Sequence, residues 1–295
     1  MYKFDYKNLR GGDFPYTDLA CERRRADVGL DGVEYKKESS VTGTWERIKI
    51  SSPEGARSIG RPMGIYDTLT LLRMDLLDSG AIDDAKEEVA KELCYLFDRS
   101  GIRPRRILVA GLGNPRLTPD AVGPMAAEAV KPTMHIRAAD GEFFDSLECS
   151  ELAVAVPGVA ASRGVDAAEV IGGICDRIRP DAVIAIDALA SRAAARLGTT
   201  VQMTDTGIHP GSGLGNSRTP LNRETLGVPV IAIGVPTVID SRMFWVDAQS
   251  ESRGIGDARL AGPTMFVSPR EIGEIVETAA VIIGGGINQA FGIFG

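Results

Sequence analysis

Three short apolar runs constrain the fold of this chain more than any other feature. Residues Ile107–Ala110, Ala182–Ile186 and Val230–Ile233 are continuously apolar and lack the polar alternation of a half-exposed strand. Strands buried on both faces have this pattern, which is typical of a parallel sheet covered by helices. Helical patterns lie between the runs, so the alternation predicts a three-layer α/β/α sandwich with a mostly parallel central sheet.

The N-terminal part of the chain has a different pattern. Residues 30–75 alternate apolar and polar side chains in places, as in Trp45–Ile50, which predicts a small antiparallel β region of two or three strands. Turns are expected at Pro53–Gly55 and at Arg61-Pro62. An amphipathic helix is expected over Ile82–Phe97, where apolar residues recur at helical spacing.

Further elements are expected towards the C-terminus. Strands are predicted over Met134–Ala138 and Leu152–Val156. A capping box of Asp166 with Glu169 predicts the start of a helix that ends near Arg179. A second such box, Ser268–Glu271, predicts a C-terminal helix that reaches about Ile283.

Composition excludes several function classes. The net charge of −7 argues against a general affinity for nucleic acid or an anionic membrane. No apolar run approaches the length of a membrane span, and the N-terminus lacks a signal-peptide core. The four cysteines are scattered without a C-x-x-C pair, which predicts free thiols in a reducing cytosol. With only two histidines, a mechanism that needs several histidine ligands is excluded.

Two acids follow buried strands and are candidates for chemistry. Asp120 lies in the loop after Ile107–Ala110, and Asp187 directly ends the run Ala182–Ile186. Ligands bind at the carboxyl edge of parallel strands, so the two carboxyls are expected to share one crevice as general acid and base. They could instead hold a divalent cation, or serve as helix-terminal carboxylates, with Asp187 capping a helix over Ala188–Arg196.

Two glycine-containing stretches are less specific. Gly111-Leu-Gly113 resembles the start of a dinucleotide fingerprint, but Arg116 occupies the third glycine position. Thr204–Asn216 holds four glycines in nine residues and predicts a loop that approaches a ligand closely. Its candidate substrate-binding residues are His209, Gly211, Ser212 and Gly213. The alternative is a long turn with a structural histidine.

Several ordered blocks of the sequence resemble the germination proteases of spore-forming bacteria. The blocks are Val109–Asn114, Thr118–Pro124, Pro180–Ala190, Asp205–Gly213 and Glu224–Val238, with Thr17–Ala20 and Val267–Glu271 near the ends. The resemblance implies an endopeptidase, without a cofactor or metal, that degrades small acid-soluble spore proteins during germination. It places the two essential acids of the family on Asp120 and Asp187. It also implies a homotetramer in the cytoplasm of the forespore or spore core, without direct nucleic-acid or membrane binding.

The fold of this family resembles that of the hydrogenase-maturation peptidases, whose corresponding acids bind nickel together with a histidine. A metal-dependent peptidase using Asp120, Asp187 and His209 is therefore an alternative. A protein of the same fold that only binds a ligand is another. The chain also departs from the family, because the segment Ser241–Thr264 is short where relatives carry a long insertion.

The N-terminus suggests a zymogen. Members of the resembled family lose a short propeptide, and their substrate sites read Thr-Glu, then Phe or Ile, then Ala-x-Glu. Thr17–Glu22 has the same layout, which predicts cleavage between Asp18 and Leu19. Residues 1–18 would then be a propeptide that occupies or blocks the crevice, and residues 19–295 the peptidase domain.

Overall fold

The computed structural model describes residues 17–23, 30–211, 218–241 and 265–293. The strands in these ranges are β1 Val33–Ser39, β2 Gly43–Ile50, β3 Gly64–Leu71, β4 Arg106–Gly111, β5 Glu151–Ala155, β6 Ala182–Ser191, β7 Thr200–Thr204, β8 Val230–Asp240 and β9 Phe266–Val267. The helices are α1 Ala20–Arg23, α2 Pro53–Ile59, α3 Ser79–Arg99, α4 Val122–Ala129, α5 Met134–Ala139, α6 Gly141–Ser146, α7 Ala160–Arg163, α8 Ala167–Ile178, α9 Arg223–Leu226 and α10 Ile272–Ala290.

The strands form one mixed sheet in the order β1-β2-β3-β7-β8-β6-β4-β5, with β9 paired to β8. The four neighbours β8, β6, β4 and β5 are parallel, and they contain the three apolar runs. The remaining pairings are antiparallel. The antiparallel N-terminal strands are thus not a separate unit, because β7 joins them to the parallel half of the sheet.

Both faces of the parallel strands are buried, as the continuous apolar runs predicted. In β4, Ile107 and Val109 pack into a core with helices α3, α4 and α10, whereas Leu108 and Ala110 pack on the other face with α8 and α9. Helices α1 and α2 cover β2 and β3 through a third, smaller cluster that includes Ile48 and Tyr66. The expected three-layer α/β/α sandwich is therefore confirmed.

Some predictions for individual helices and turns were confirmed, and others were wrong. The Asp166–Glu169 capping box forms and α8 follows it, as predicted. Pro53–Gly55, predicted as a turn, instead forms the start of α2. Ser52 caps this helix, and Gly60 ends it with a left-handed backbone conformation.

Met134–Ala138, predicted as a strand, is helical. Its side chains are half-buried or exposed, and a short alternating run of this kind does not by itself distinguish strand from helix. The preceding Thr133 bonds to the backbone of Ser150 and Leu152, which fastens the start of α5 beside β5.

The C-terminal helix also differs from its prediction. It begins at Ile272 without a side-chain cap, so the Ser268–Glu271 capping box does not form. Glu271 instead pairs with Arg73 at 3.1 Å. The helix continues past Ile283 to Ala290. The glycines Gly284–Gly286 lack side chains, so this part of the helix packs closely against α4 and α3. None of the helices in the described ranges is long and apolar enough to cross a membrane.

A buried cluster beneath α3 gives the first prediction. Arg47 contacts Asp67 at 2.6 Å and Glu92 at 2.8 Å, and both acids are at most 9% exposed. Burial and the neighbouring Asp67 carboxyl raise the pKa of Glu92, which Arg47 only partly offsets. Glu92 therefore keeps its proton in the folded protein at pH values above the ordinary glutamate pKa, where the unfolded chain has released it. The free energy of unfolding is expected to fall as pH rises above the ordinary glutamate pKa.

Glu92→Gln should remove this loss, which has a limiting slope of about 1.4 kcal/mol per pH unit. The measurement is denaturant unfolding between pH 5 and 8. Glu87→Gln on the exposed face of the same helix is the control, since Glu87 is 60% exposed. Parallel pH profiles for wild type and Glu92→Gln would contradict the prediction.

Candidate active site

Asp120 is fixed by the loop that leaves β4. Gly113, at a φ of 114°, lies so close to Asp120 that a Cβ there would be 2.1 Å from the Asp120 carbonyl oxygen. The N–H of Asn114 donates to Asp120 Oδ2 at 2.8 Å. Asp120 ends a short 3-10 turn, Thr118–Asp120, and α4 follows. The carboxyl is therefore held at the carboxyl end of β4, where the sequence placed it.

Asp187 lies inside β6 and not at its end. The strand continues to Ser191, so the helix considered over Ala188–Arg196 is absent, apart from a short 3-10 turn at Ala194–Arg196. Pairing with β8 extends the strand beyond the apolar run. The Asp187 side chain is 6% exposed, and its Oδ1 accepts a hydrogen bond from the N–H of Ala188 at 2.9 Å.

Both acids line one cavity of about 320 Å³. Burial raises the pKa of Asp187 well above its usual range, and the charges of Asp120 and Asp18 raise it further. Burial also raises the pKa of Asp120, against the hydrogen bond from Asn114. Arg218 lines the same cavity and lowers both pKa values. Two acids whose environments disfavour the charged form can divide the roles of proton donor and acceptor.

His209 and Gly211 of the glycine-containing loop also line the cavity, whereas Ser212 and Gly213 lie outside the described residues. Burial lowers the pKa of His209, as does the charge of Arg61. Within the part of the chain that the structure describes, histidine, cysteine and acidic side chains form no cluster of three that could hold a metal ion.

The N-terminal segment Thr17–Arg23 enters the same cavity. Asp18 lines it and exchanges two hydrogen bonds with Ala190 of β6, one through its backbone N–H and one through its side chain, both 2.9 Å. Arg61 donates to the Thr17 carbonyl at 2.7 Å and lies 3.6 Å from the Asp18 carboxyl. Thr17 and Leu19 are almost fully buried. Asp18, on the N-terminal side of the Asp18–Leu19 bond, therefore lines the same cavity as Asp120 and Asp187.

Glu22 anchors the other end of this segment. Its carboxylate accepts hydrogen bonds from the Ser191 hydroxyl at 2.8 Å, from the N–H of Arg192 at 2.7 Å and from the N–H of Ala193 at 2.9 Å. It also accepts one from the Thr17 hydroxyl. A carboxylate with several such donors is held firmly, because bonds to a charged acceptor are the stronger class.

Sequence reasoning did not find three polar residues of this site. Arg61, Gln202 and Arg218 line the cavity, yet none belongs to a motif with a recognisable spacing. The sequence indicates only a turn at Arg61. Gln202 lies in β7, and nothing in the sequence of this strand marks it as part of a site. Only its pairing with β8 in the structure brings it there.

Comparison with known proteins places the chain in a family. The germination protease family model matches residues 17–250. A germination protease of Clostridium perfringens is 34% identical over 310 residues, covering 93% of this chain and 94% of the relative. One from Bacillus cereus is 40% identical over 236 residues, covering 76% of this chain and 63% of the relative.

A solved [NiFe] hydrogenase maturation protease from Thermococcus kodakarensis is 20% identical, with a TM-score of 0.38, and the match covers 67% of this chain and 99% of that one. The identities above 30% over most of the chain, together with the family match, decide the assignment. The chain belongs to the germination protease family, and it is a peptidase with a role in spore germination.

Proposed function

We propose that this peptidase is an endopeptidase that begins the degradation of small acid-soluble spore proteins, and that it is made as a zymogen that cuts itself between Asp18 and Leu19. Asp120 and Asp187 activate the attacking water. The observation that carries the proposal is that Asp120, Asp187 and Asp18 line one cavity, where the charge of Asp18 acts on Asp187. From the resemblance alone, we further propose that the protein is a homotetramer in the cytoplasm of the forespore or spore core.

The environments of the two acids suggest how they divide the chemistry. Asp187 is the more deeply buried and the more strongly disfavoured as an anion, so it carries the proton and acts as general acid. Asp120, stabilised by the N–H of Asn114, acts as general base. It takes a proton from water as the oxygen attacks the Asp18 carbonyl carbon. Asp187 gives its proton to the Leu19 nitrogen as the peptide bond breaks.

The zymogen part of the proposal rests on the position of the N-terminal segment. A substrate chain cannot enter the cavity along β6 while Asp18 pairs with Ala190. Cleavage separates residues 1–18, the propeptide, from the peptidase domain 19–295 and removes the contacts of Thr17 and Asp18 with Arg61. The loss of these anchors opens the cavity to other chains.

The alternative is a metal-dependent peptidase using Asp120, Asp187 and His209, since all three line the cavity. The described side chains are not grouped closely enough to favour it. A chelator distinguishes the two, because only the metal-dependent enzyme loses activity when the metal is removed.

The function is tested by incubating the purified full chain at mildly acidic pH and following its N-terminus by mass spectrometry. Wild type is expected to lose residues 1–18, to begin at Leu19 and then to cut small acid-soluble spore proteins, with or without a chelator. Asp120→Asn should stay full length, because it lacks the base. Asp84→Asn on the exposed surface of α3 is the matched control and should trim like wild type. An intact wild type, or a start far from Leu19, would refute the zymogen scheme.

A further inference from the structure

Gln202 and Asp187 occupy equivalent positions on either side of one strand. Gln202 of β7 and Asp187 of β6 both pair with Gly234 of the intervening β8. Directly paired residues point to the same face of a sheet, so the two side chains rise side by side from backbones about 10 Å apart. Gly234 contributes no side chain between them, and Leu189 packs over it. The space between the acid and the amide therefore has an apolar floor.

The side-chain amide of Gln202 forms hydrogen bonds with the backbone on both sides of Leu19. Its Nε2 donates to the Asp18 carbonyl oxygen at 3.1 Å, and its Oε1 accepts from the N–H of Ala20 at 2.8 Å. The side chain is 6% exposed. The Asp18 carbonyl belongs to the bond proposed to be cut, so Gln202 touches an atom that changes charge in the reaction.

We propose that Gln202 is a further catalytic residue, whose side-chain amide stabilises the oxyanion that forms on the Asp18 carbonyl oxygen. This inference rests on the proposed function. When water oxygen bonds to the carbonyl carbon, the C=O π electrons move to the oxygen, and the fixed Nε2–H donor meets the new negative charge. The amide transfers no proton. The charge returns to the carbonyl when the bond to the Leu19 nitrogen breaks.

A neutral donor suits this position. A second cation in place of Gln202 would add to the lowering of the Asp187 pKa by Arg218 and would favour loss of the proton that the leaving nitrogen needs. The amide supplies a hydrogen bond without a full charge, in a place where burial strengthens electrostatic interactions. The contact to Ala20 also fixes the orientation of the amide, because Oε1 must face an N–H and Nε2 is thereby directed to the carbonyl.

The test compares Gln202→Glu and Gln202→Met with wild type in the full chain. The rate of trimming between Asp18 and Leu19 is followed by mass spectrometry at several pH values. Both variants are expected to trim about 100-fold more slowly at neutral pH, the size of effect seen on removing one oxyanion donor. Relative to wild type, Gln202→Glu should recover at low pH, where a protonated carboxyl donates again, and Gln202→Met should not. Gln289→Met on the exposed end of α10 is the matched control.

A second readout separates catalysis from simple docking of the segment. Cys21 lies in α1, and burial raises the pKa of its thiol to about 11, so alkylation of Cys21 reports whether Thr17–Glu22 is in place. We expect the Gln202 variants to protect Cys21 as well as wild type does while trimming slowly. Rapid alkylation in the Gln202→Glu chain would show that the amide only holds the segment and would overturn the catalytic role.

Trimming of both variants within about threefold of wild type would overturn the inference and leave the proposed function standing. If wild type itself does not trim, the proposed function and this inference both fail. The two failures are therefore distinguishable in one experiment.

Discussion

The Asp187→Asn chain is expected to lose self-cleavage by about 1,000-fold or more and to become more stable at neutral pH. The loss follows from removing the proposed proton donor for the Leu19 nitrogen. The gain in stability follows because Asp187 is only 6% exposed. Burial raises the pKa of its carboxyl, and the charges of Asp120 and Asp18 raise it further. A neutral amide of the same shape avoids the cost of ionising the group there.

The pH dependence of this gain can be stated with its sign. The raised pKa means that the folded protein binds a proton that the unfolded chain has already released above the ordinary aspartate pKa. Wild type therefore loses stability as pH rises above that value, whereas Asp187→Asn does not share this loss. The melting temperatures of the two chains should be closest near pH 4 and diverge towards pH 7. Equal melting temperatures at pH 7 would show that Asp187 is not held in its neutral form.

The second large effect is expected from Gly123→Ala. Gly123 is near the start of α4, and a Cβ there would be 2.1 Å from the carbonyl oxygen of Leu112 and 2.4 Å from that of Ile186. Both contacts are with backbone, which cannot swing aside as a flexible side chain can. We expect the substitution to lower the free energy of unfolding by about 3 kcal/mol. It should also slow self-cleavage, since α4 follows Asp120 directly and Ile186 precedes Asp187.

Gly173→Ala is the matched control, because the same methyl group meets nothing within 4 Å on the exposed side of α8. Alanine is the better helix former, so this variant should be more stable by about 0.5–1 kcal/mol. Denaturant unfolding of both variants measures the contrast. If Gly123→Ala unfolds at the same denaturant concentration as wild type, α4 does not pack against the strand ends as tightly as described.

The parallel half of the fold could be predicted from sequence because its signal is local. A strand buried on both faces must be apolar at every position, and Ile107–Ala110 shows this without reference to the rest of the chain. The positions of Asp120 after β4 and of Asp187 on the neighbouring β6 followed from the same apolar runs, although Asp187 was expected at the end of its strand. The Met134–Ala138 prediction was wrong because the run is short and its state depends on contacts outside it.

The donors around the cavity could not be predicted, because tertiary contacts alone bring them there. Gln202 meets Ala20 across 182 residues of sequence, and Arg61 meets Thr17 across 44. Neither residue type has a periodicity that marks such a position. The end of β6 was also missed, since its pairing with β8 continues beyond the apolar run and carries Asp187 into the middle of a strand.

The distance along the chain between the N-terminal segment and its partners has a consequence for protein synthesis. Thr17–Glu22 leaves the ribosome early, but Ala190, Ser191 and Gln202, which hold it, are made much later. The Asp18–Leu19 bond therefore stays unpositioned until β6, β7 and β8 have emerged and paired. Self-cleavage of the proposed kind cannot occur on a nascent chain before that point, so under the proposed scheme the order of synthesis itself delays the activation of each new molecule.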